Sequence, residues 1–221
     1  MALYSVQEAR KNRVSLLLTT INTNYQRVSM HGLRRSLLEA QAKSIGIPLE
    51  VVEMPEKVTM ETYGDIMQER LTSLKQRGYD TTYFGDIFLE DLKTYRENML
   101  HPLGFKTIFP LWKRDTRQLL LDFIHSNFKA VVVCVNAQVL DKSFCGRLID
   151  QSFLEDLPPN VDPCGENGEF HTFCFDGPIF KRPVPFGKGD IVYKTYPAPK
   201  TEKDQEISEY GFWYCDLYLA P

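Results

Sequence analysis

Hydrophobic and polar positions follow two different periods along the first half of the chain. Short apolar runs predict buried strands, and between them apolar residues recur every three or four positions, which predicts amphipathic helices. The predicted strands are residues 14–21, 49–53, 81–84 and 105–109. The predicted helices begin at Met1, at His31, after Thr59 and after Asp86. Parallel strands need crossover helices, so this alternation predicts an α/β fold with a parallel, doubly wound sheet.

The pattern changes after Trp112. Asp115, with Gln118 three residues later, predicts the N-terminus of one more helix, and the apolar run 130–135 predicts a buried strand. Residues 136–162 are less regular, and alternating segments then predict strands over 169–175, 190–196 and 210–219. We therefore expect an α/β domain over residues 1–112 and a smaller, mixed α+β domain over residues 113–221.

Composition narrows the class of protein. The 221 residues are 43% hydrophobic, which is enough to bury a core. A net charge of -3 and a pI near 5.9 give no electrostatic reason to expect a nucleic-acid partner. Five cysteines without CxxC spacing indicate free thiols in a reducing, cytoplasmic compartment. The apolar run 130–135 is far shorter than the ~20 residues of a membrane helix, so we expect no membrane partner.

Residues 165–172, with the sequence GENGEFHT, are the strongest candidate for chemistry. The two glycines let the backbone approach a ligand closely. Strand alternation predicts that Glu169 and His171 share one face, beside a loop that carries Glu166. A carboxylate near a histidine can relay protons or deprotonate an amine. The alternative is a polar turn with an acidic tip and a hydrogen-bonded histidine.

Two further segments lie where a parallel sheet binds ligands. Residues 29–32, with the sequence SMHG, are predicted at a helix start, where free N–H groups suit an anion or a nucleotide; alternatively, Ser29 is a simple N-cap. Asp86, after Gly85, follows the carboxyl end of a predicted strand. An aspartate there can bind a ribose hydroxyl or Mg2+, or can cap the next helix.

Other kinds of site are not supported. Cys164, His171 and Cys174 resemble zinc-ligand spacing, but alternation puts His171 and Cys174 on opposite faces of a strand, so we expect no structural metal site. The sequence contains no GxSxG nucleophile motif and neither GxxxxGK[ST] nor GxGxxG. We therefore expect neither covalent catalysis nor a complete phosphate-binding loop.

Four motifs together resemble the diphthine-ammonia ligase family of ATP pyrophosphatases. They are SMHG at 29–32, FGDI at 84–87, PLW at 110–112 and DPCGENGEFHT at 162–172. The resemblance covers the chain from Met1 to about Pro183. It implies an N-terminal nucleotide-binding domain with the adenine-nucleotide alpha-hydrolase-like fold. It also implies that ATP adenylates the carboxylate of diphthine on the translation elongation factor, after which ammonia displaces AMP.

The resemblance also implies roles for single residues. The nucleotide-binding residues would be Thr19, Ser29, Met30, His31, Gly32, Gly85 and Asp86, with Asp86 also a possible ligand of Mg2+. The catalytic residues would be Glu166, Glu169 and His171. The substrate loop would include Gly165, Asn167, Gly168 and Thr172. ATP, Mg2+, ammonia and a carboxylate substrate are thus the implied ligands, and the resemblance leaves an oligomer open.

One part of the family pattern does not occur in this sequence. Members of the family begin with a strand and a Ser-Gly-Gly-Lys-Asp-Ser type loop, whereas Met1 here resembles the start of the helix that follows this loop. We expect the codons upstream of Met1 to encode that loop, and the chain as given to bind ATP poorly. Two alternatives stay open: a non-catalytic nucleotide- or protein-binding relative, and a ligase that acts on a different carboxylate in a bacterium.

Overall fold

The structure is a computed structural model that describes residues 1–10, 13–28, 31–56, 58–197 and 209–220. The first half of the chain forms, in order, α1 (Ala2–Glu8), β1 (Leu17–Asn22), β2 (Arg27–Val28), α2 (Arg35–Ile45), β3 (Leu49–Met54), α3 (Met60–Gln76), β4 (Thr81–Tyr83), α4 (Glu90–Leu100), a 3-10 turn (His101–Leu103) and β5 (Lys106–Ile108). Strands and helices alternate as the apolar periods predict.

The parallel strands of the first half confirm the α/β class. β1 pairs with β3 in parallel and β4 pairs with β5 in parallel. Within the described residues these pairs are two separate ladders, and β2 adds to the end of β1 in the antiparallel direction. Both ladders nevertheless share one hydrophobic core, which includes Val52 of β3, Leu71 of α3 and Phe105 before β5. The helices therefore join the two ladders by packing.

The second half is built around an antiparallel sheet. Its elements are α5 (Thr116–His125), β6 (Lys129–Asn136), a 3-10 turn (Lys142–Phe144), α6 (Gln151–Asp156), β7 (Phe170–Asp176), β8 (Phe186–Pro197) and β9 (Glu209–Leu219). The strand order is β7-β6-β9-β8. The last strand of the chain thus lies inside the sheet, between β6 and β8.

The division of the chain into two domains near residue 112 stays a prediction.

The largest hydrophobic core connects the two halves. Val131, Val132 and Val135 of β6 are fully buried, because this strand lies in the interior of its sheet and is covered on both faces. Leu37 of α2, also fully buried, belongs to the same cluster. Helix α2 therefore packs on the antiparallel sheet as well as on its own half of the chain.

Helix ends test the sequence predictions most sharply. The caps at Thr59 and Asp115 are confirmed: Thr59 Oγ1 accepts from the Thr62 N–H at 3.1 Å, and Asp115 Oδ1 accepts from the Gln118 N–H at 2.7 Å. The predicted helix start at His31 is wrong, because residues 31–34 belong to a turn that an isolated bridge between Arg27 and Arg34 closes, and α2 begins only at Arg35. None of the helices in the described part of the chain is long and apolar enough to cross a membrane.

Candidate functional site

The loop that precedes β7, residues 162–169, is held by two of its own carboxylates. Asp162 Oδ2 accepts from the N–H groups of Cys164 at 3.0 Å and Glu166 at 2.9 Å. Glu169, which is only 6% exposed, accepts from the Asp162 N–H and the Asn167 N–H, both at 3.0 Å, and from Asn167 Nδ2 at 2.9 Å. These bonds satisfy the Glu169 carboxylate within the loop and fix the loop's shape.

Gly165 is required by the loop's path. Its φ is +69°, and a Cβ atom built there would lie 2.7 Å from the carbonyl oxygen of Phe170. Gly168 also has a positive φ, +83°, but no atom lies within 4 Å of a Cβ built there. The close approach of the loop to β7 thus depends on Gly165, whereas Gly168 supplies the backbone conformation alone.

Glu166 reaches from this loop to the first half of the chain. Its Oε1 accepts from the N–H of Ile87 at 2.6 Å, and Ile87 lies in the segment that follows β4. Burial raises the pKa of the Glu166 carboxyl above its ordinary value, and the charges of Asp86 and Asp162 act in the same direction. The loop therefore presents a carboxylate of increased basicity at the carboxyl end of β4.

The start of α1 adds an apolar contact between the two halves. Met1 and Ala2 pack against a cluster that contains Ile87 and Leu111, and Cys164 of the loop packs on the same cluster. A Cβ atom built on Gly85 would lie 3.9 Å from the Ala2 Cβ, an ordinary van der Waals distance. The segment after β4 is thus enclosed by α1 on one side and by the loop on another.

Asp86 is paired with an arginine. Its side chain is 6% exposed, and its two oxygens accept from Arg96 Nε at 2.9 Å and Arg96 Nη2 at 3.1 Å. The Arg96 guanidinium also lies 4.4 Å from the centre of the Phe84 ring. This bidentate pair occupies one acceptor position on each Asp86 oxygen. The role of Asp86 as a ligand of Mg2+ stays a prediction.

Two histidines from different halves of the chain face each other. The ring centres of His31 and His171 are 4.2 Å apart, with the planes 35° from parallel. Burial lowers the pKa of His171 to about 4, and the neighbouring His31 acts in the same direction. His171 is therefore neutral near pH 7, with one ring nitrogen able to accept a hydrogen bond.

Strand alternation predicted that Glu169 and His171 share one face, but only His171 lies within a strand. Strand β7 begins at Phe170, so Glu169 lies before it and turns back into the loop, while His171 faces His31. A register shift on the neighbouring strand, between Val132 and Cys134, also breaks the regular pairing beside His171. The Glu169 carboxylate is thus occupied by hydrogen bonds within the loop, and its joint action with His171 stays a prediction.

The other predicted site residues are spread over both halves. Thr19 lies within β1, opposite Val51, and not at the strand's carboxyl end. Gly32 has a φ of +68° in the turn between β2 and α2. Thr172 pairs with Val132 in the antiparallel sheet. Ser29 and Met30 lie outside the described residues.

Burial raises the pKa of all five cysteines, Cys215 included. Burial raises the pKa of Cys164 to about 12 and that of Cys174 to about 11, and Cys134 and Cys145 are each raised to about 12 by the same cause. A nucleophilic cysteine needs a thiolate, and these thiols stay protonated near pH 7. Carboxylates and imidazoles are therefore the stronger candidates for chemistry at this site.

Periodicity did not assign a site role to Arg96, Tyr214 or Asp216. Arg96 binds Asp86, Tyr214 lies against Gly32, and Asp216 binds Arg27 and Arg34. A charged residue on the buried stripe of α4 could have indicated Arg96, since such positions are normally apolar. The strand pattern of residues 209–219 gave no comparable signal for Tyr214 and Asp216.

These features define a class of protein: a mixed α/β unit of the adenine-nucleotide alpha-hydrolase-like kind, joined to an antiparallel unit that supplies a carboxylate-rich loop. Residues 1–107 match the family model "Diphthamide synthase N-terminal domain", and residues 115–196 match "Diphthamide synthase C-terminal domain". The chain belongs to the diphthamide synthase family.

Curated relatives carry a consistent name. The chain is similar to the diphthine--ammonia ligase of Homo sapiens, with 33% identity over 116 residues, which is 50% of this chain and 43% of the relative. For the enzyme of the same name in Schizosaccharomyces pombe the identity is 31% over 46% of this chain and 18% of the relative. For that of Danio rerio it is 30% over 56% of this chain and 52% of the relative. The chain thus matches about half or less of the length of these relatives.

Proposed function

We propose that this protein is an ATP-dependent amide ligase that adenylates a carboxylate and amidates it with ammonia, and that the carboxylate is diphthine on the translation elongation factor. The observation that carries the proposal is the contact of Glu166 with Ile87 at 2.6 Å, which joins the family's signature loop to the carboxyl end of β4. Ligands of parallel α/β units bind at such strand ends. The family membership and the names of the relatives support a ligase that joins diphthine and ammonia.

Glu166 and His171 have the properties that amide formation needs. A carboxylate becomes reactive only with a better leaving group than hydroxide, and adenylation provides one. Ammonium must then lose a proton before it can attack. In our proposal Glu166, whose pKa is raised by burial, accepts that proton, and neutral His171 accepts a hydrogen bond from the incoming amine or the adenylate. No nucleophilic side chain is needed.

The remaining predicted residues have supporting roles in the proposal. Glu169, together with Gly165, Asn167 and Gly168, holds the substrate loop in the shape that presents Glu166. Gly85 and Asp86 belong to the phosphate side of the site, where Arg96 retains N–H donors that the Asp86 pair does not use. His31 and Gly32 line the nucleotide side.

The test is a turnover assay with ATP, ammonium and elongation factor that carries diphthine. We expect AMP and pyrophosphate to be released in equal amounts and the mass of the elongation factor to change from that of the acid to that of the amide. The chain spans less than half the length of the human relative, so the assay is run both on this chain and on a longer form that includes any residues encoded upstream of Met1. Glu166→Gln should reduce kcat by roughly 10²–10⁴, the usual contribution of a general base.

The matched control is Glu155→Gln, a substitution of the same kind at an exposed position of α6. It should leave kcat unchanged. Equal turnover in Glu166→Gln and the control would remove the assigned role of Glu166. ATP binding without AMP release in any form of the protein would instead favour a nucleotide-binding module without ligase activity.

A further inference from the structure

Strand β9 lies beyond the part of the chain that the family models match. The C-terminal family model ends at residue 196, and β9 spans Glu209–Leu219. The strand is nevertheless inserted between β6 and β8, and it pairs Tyr214 with Cys134. Because Cys134 also pairs with His171 on the other side of β6, β9 comes within two strands of the candidate site.

Asp216 of β9 binds two arginines that flank the turn before α2. Its Oδ1 accepts from Arg27 Nη1 at 2.9 Å and from Arg34 Nε at 3.1 Å, and its Oδ2 accepts from Arg34 Nη2. The bidentate bond to Arg34 fixes the direction of the guanidinium as well as its position. These contacts lower the pKa of Asp216, so the aspartate keeps its charge.

Arg27 connects Asp216 to the turn itself, because it binds both. Its Nη1 donates to the carbonyl oxygen of Gly32 at 2.6 Å, while the Gly32 N–H donates to the carbonyl oxygen of Val28 at 3.1 Å. Arg27 and Arg34 also form an isolated antiparallel bridge at the base of the turn. The turn that carries His31 is therefore closed by the backbone and anchored through Arg27 to Asp216.

Tyr214 contacts the same turn from β9. A Cβ atom built on Gly32 would lie 2.9 Å from Tyr214 Cδ1, so the ring abuts the glycine backbone. Burial raises the pKa of the Tyr214 phenol, which keeps it neutral. The ring thus sets how closely the turn approaches the antiparallel sheet, and a side chain at residue 32 would displace it.

We propose that Asp216 and Tyr214 are positioning residues that hold the His31–Gly32 turn against His171 and so assemble the nucleotide side of the site. The proposal concerns strand β9, to which neither the family models nor the matched motifs assign a role. It deepens the proposed function, since the contribution to ligand binding rests on that function. The placement of the two imidazoles does not rest on it and can be measured alone.

The experiment follows the imidazole signals of the four histidines by NMR in the whole chain. In Asp216→Asn the signals of His31 and His171 should shift, because the turn loses its charged anchor, while those of His101 and His125 should stay in place. In the active form of the protein the same variant should raise KM for ATP by about tenfold with a smaller change in kcat. A loss of stability alone would not raise KM more than it changes kcat.

Asp190→Asn, at an exposed position of the neighbouring strand β8, is the matched control and should move neither histidine signal. If Asp216→Asn does not fold, Arg34→Gln removes the bidentate contact while Asp216 keeps Arg27, and it should shift the same two signals. His31 and His171 signals that are unchanged from the control in the folded variant would overturn the proposal. Absence of turnover in the wild type, with the signals shifted in the variant, would refute the proposed function and leave the positioning role intact.

Discussion

At the scale of single residues, the site is made of groups whose ionisation is set by burial. Burial raises the pKa of Glu166 and lowers the pKa of His171. It therefore favours the neutral acid of the glutamate and the neutral base of the histidine. Both shifts disfavour the charged form of the group. The arrangement suits a reaction in which protons move between an amine, a carboxylate and an imidazole.

His171 makes the stability of the protein dependent on pH. The pKa of its imidazole is about 4 in the folded protein and 6.5 in a model compound, so the unfolded chain binds more protons between these values. The stabilisation is present above pH 6.5 and is lost as the pH falls toward 4, by at most about 3 kcal/mol. We expect urea unfolding of His171→Gln to vary less with pH over this window than that of the wild type.

His125→Gln, at an exposed position at the end of α5, serves as the control. It should keep the pH dependence of the wild type. The interpretation fails if His171→Gln and His125→Gln give parallel curves of unfolding free energy against pH.

At the scale of elements, the loop before β7 is a rigid unit. Its carboxylates satisfy its own N–H groups, and its approach to β7 leaves no room for a side chain at Gly165. In the proposed function, a loop that is fixed in this way presents Glu166 without an ordering cost at the moment of reaction. The buried Glu169 contributes to this fixed shape, because its carboxylate accepts hydrogen bonds from Asp162 and Asn167.

The two glycines of this loop give a matched pair of substitutions. Gly165→Ala should lower the free energy of unfolding by about 3 kcal/mol, because a methyl group meets backbone in addition to the strain of positive φ. Gly168→Ala has the strain without the clash and should cost about 1 kcal/mol. Urea denaturation of both variants measures the difference, and equal losses would show that the loop can move away from β7.

At the scale of the whole molecule, the two halves share a core. Leu37 of α2 is buried in the same cluster as the β6 valines, while Glu166, Met1 and Asp216 add contacts between the halves. Such shared burial couples the unfolding of one half to that of the other. The candidate site residues come from both halves, so this coupling fixes their relative positions.

Leu37→Ala tests the coupling. Removing its side chain should cost about 2–5 kcal/mol and shift one common unfolding transition. Each half contains one tryptophan, Trp112 or Trp213, so Trp112→Phe and Trp213→Phe backgrounds report the halves separately. The unfolding transitions reported by the two tryptophans should shift together in Leu37→Ala. Leu148→Ala, at a residue 46% exposed, should shift neither transition. A shift that is confined to Trp213 fluorescence would show independent halves.

The amino-acid sequence determined the order of the elements and the family. Apolar periods predicted the alternating strands and helices, and short polar signals placed the N-caps at Thr59 and Asp115, because both kinds of information are local. The GENGEFHT motif identified the candidate loop for the same reason. The start of α2 was misplaced, since the bridge between Arg27 and Arg34 that closes the preceding turn leaves no period to detect.

The tertiary structure alone decided the partners of the site residues. Glu166 meets Ile87 across 79 residues of sequence, and Asp216 meets Arg34 across 182. Periodicity tells which face a side chain occupies but not which distant donor lies opposite that face. For the same reason the sequence could not show that Asp86 pairs with Arg96 or that Glu169 accepts hydrogen bonds from its own loop. Those pairings depend on how the two halves pack, which no local pattern records.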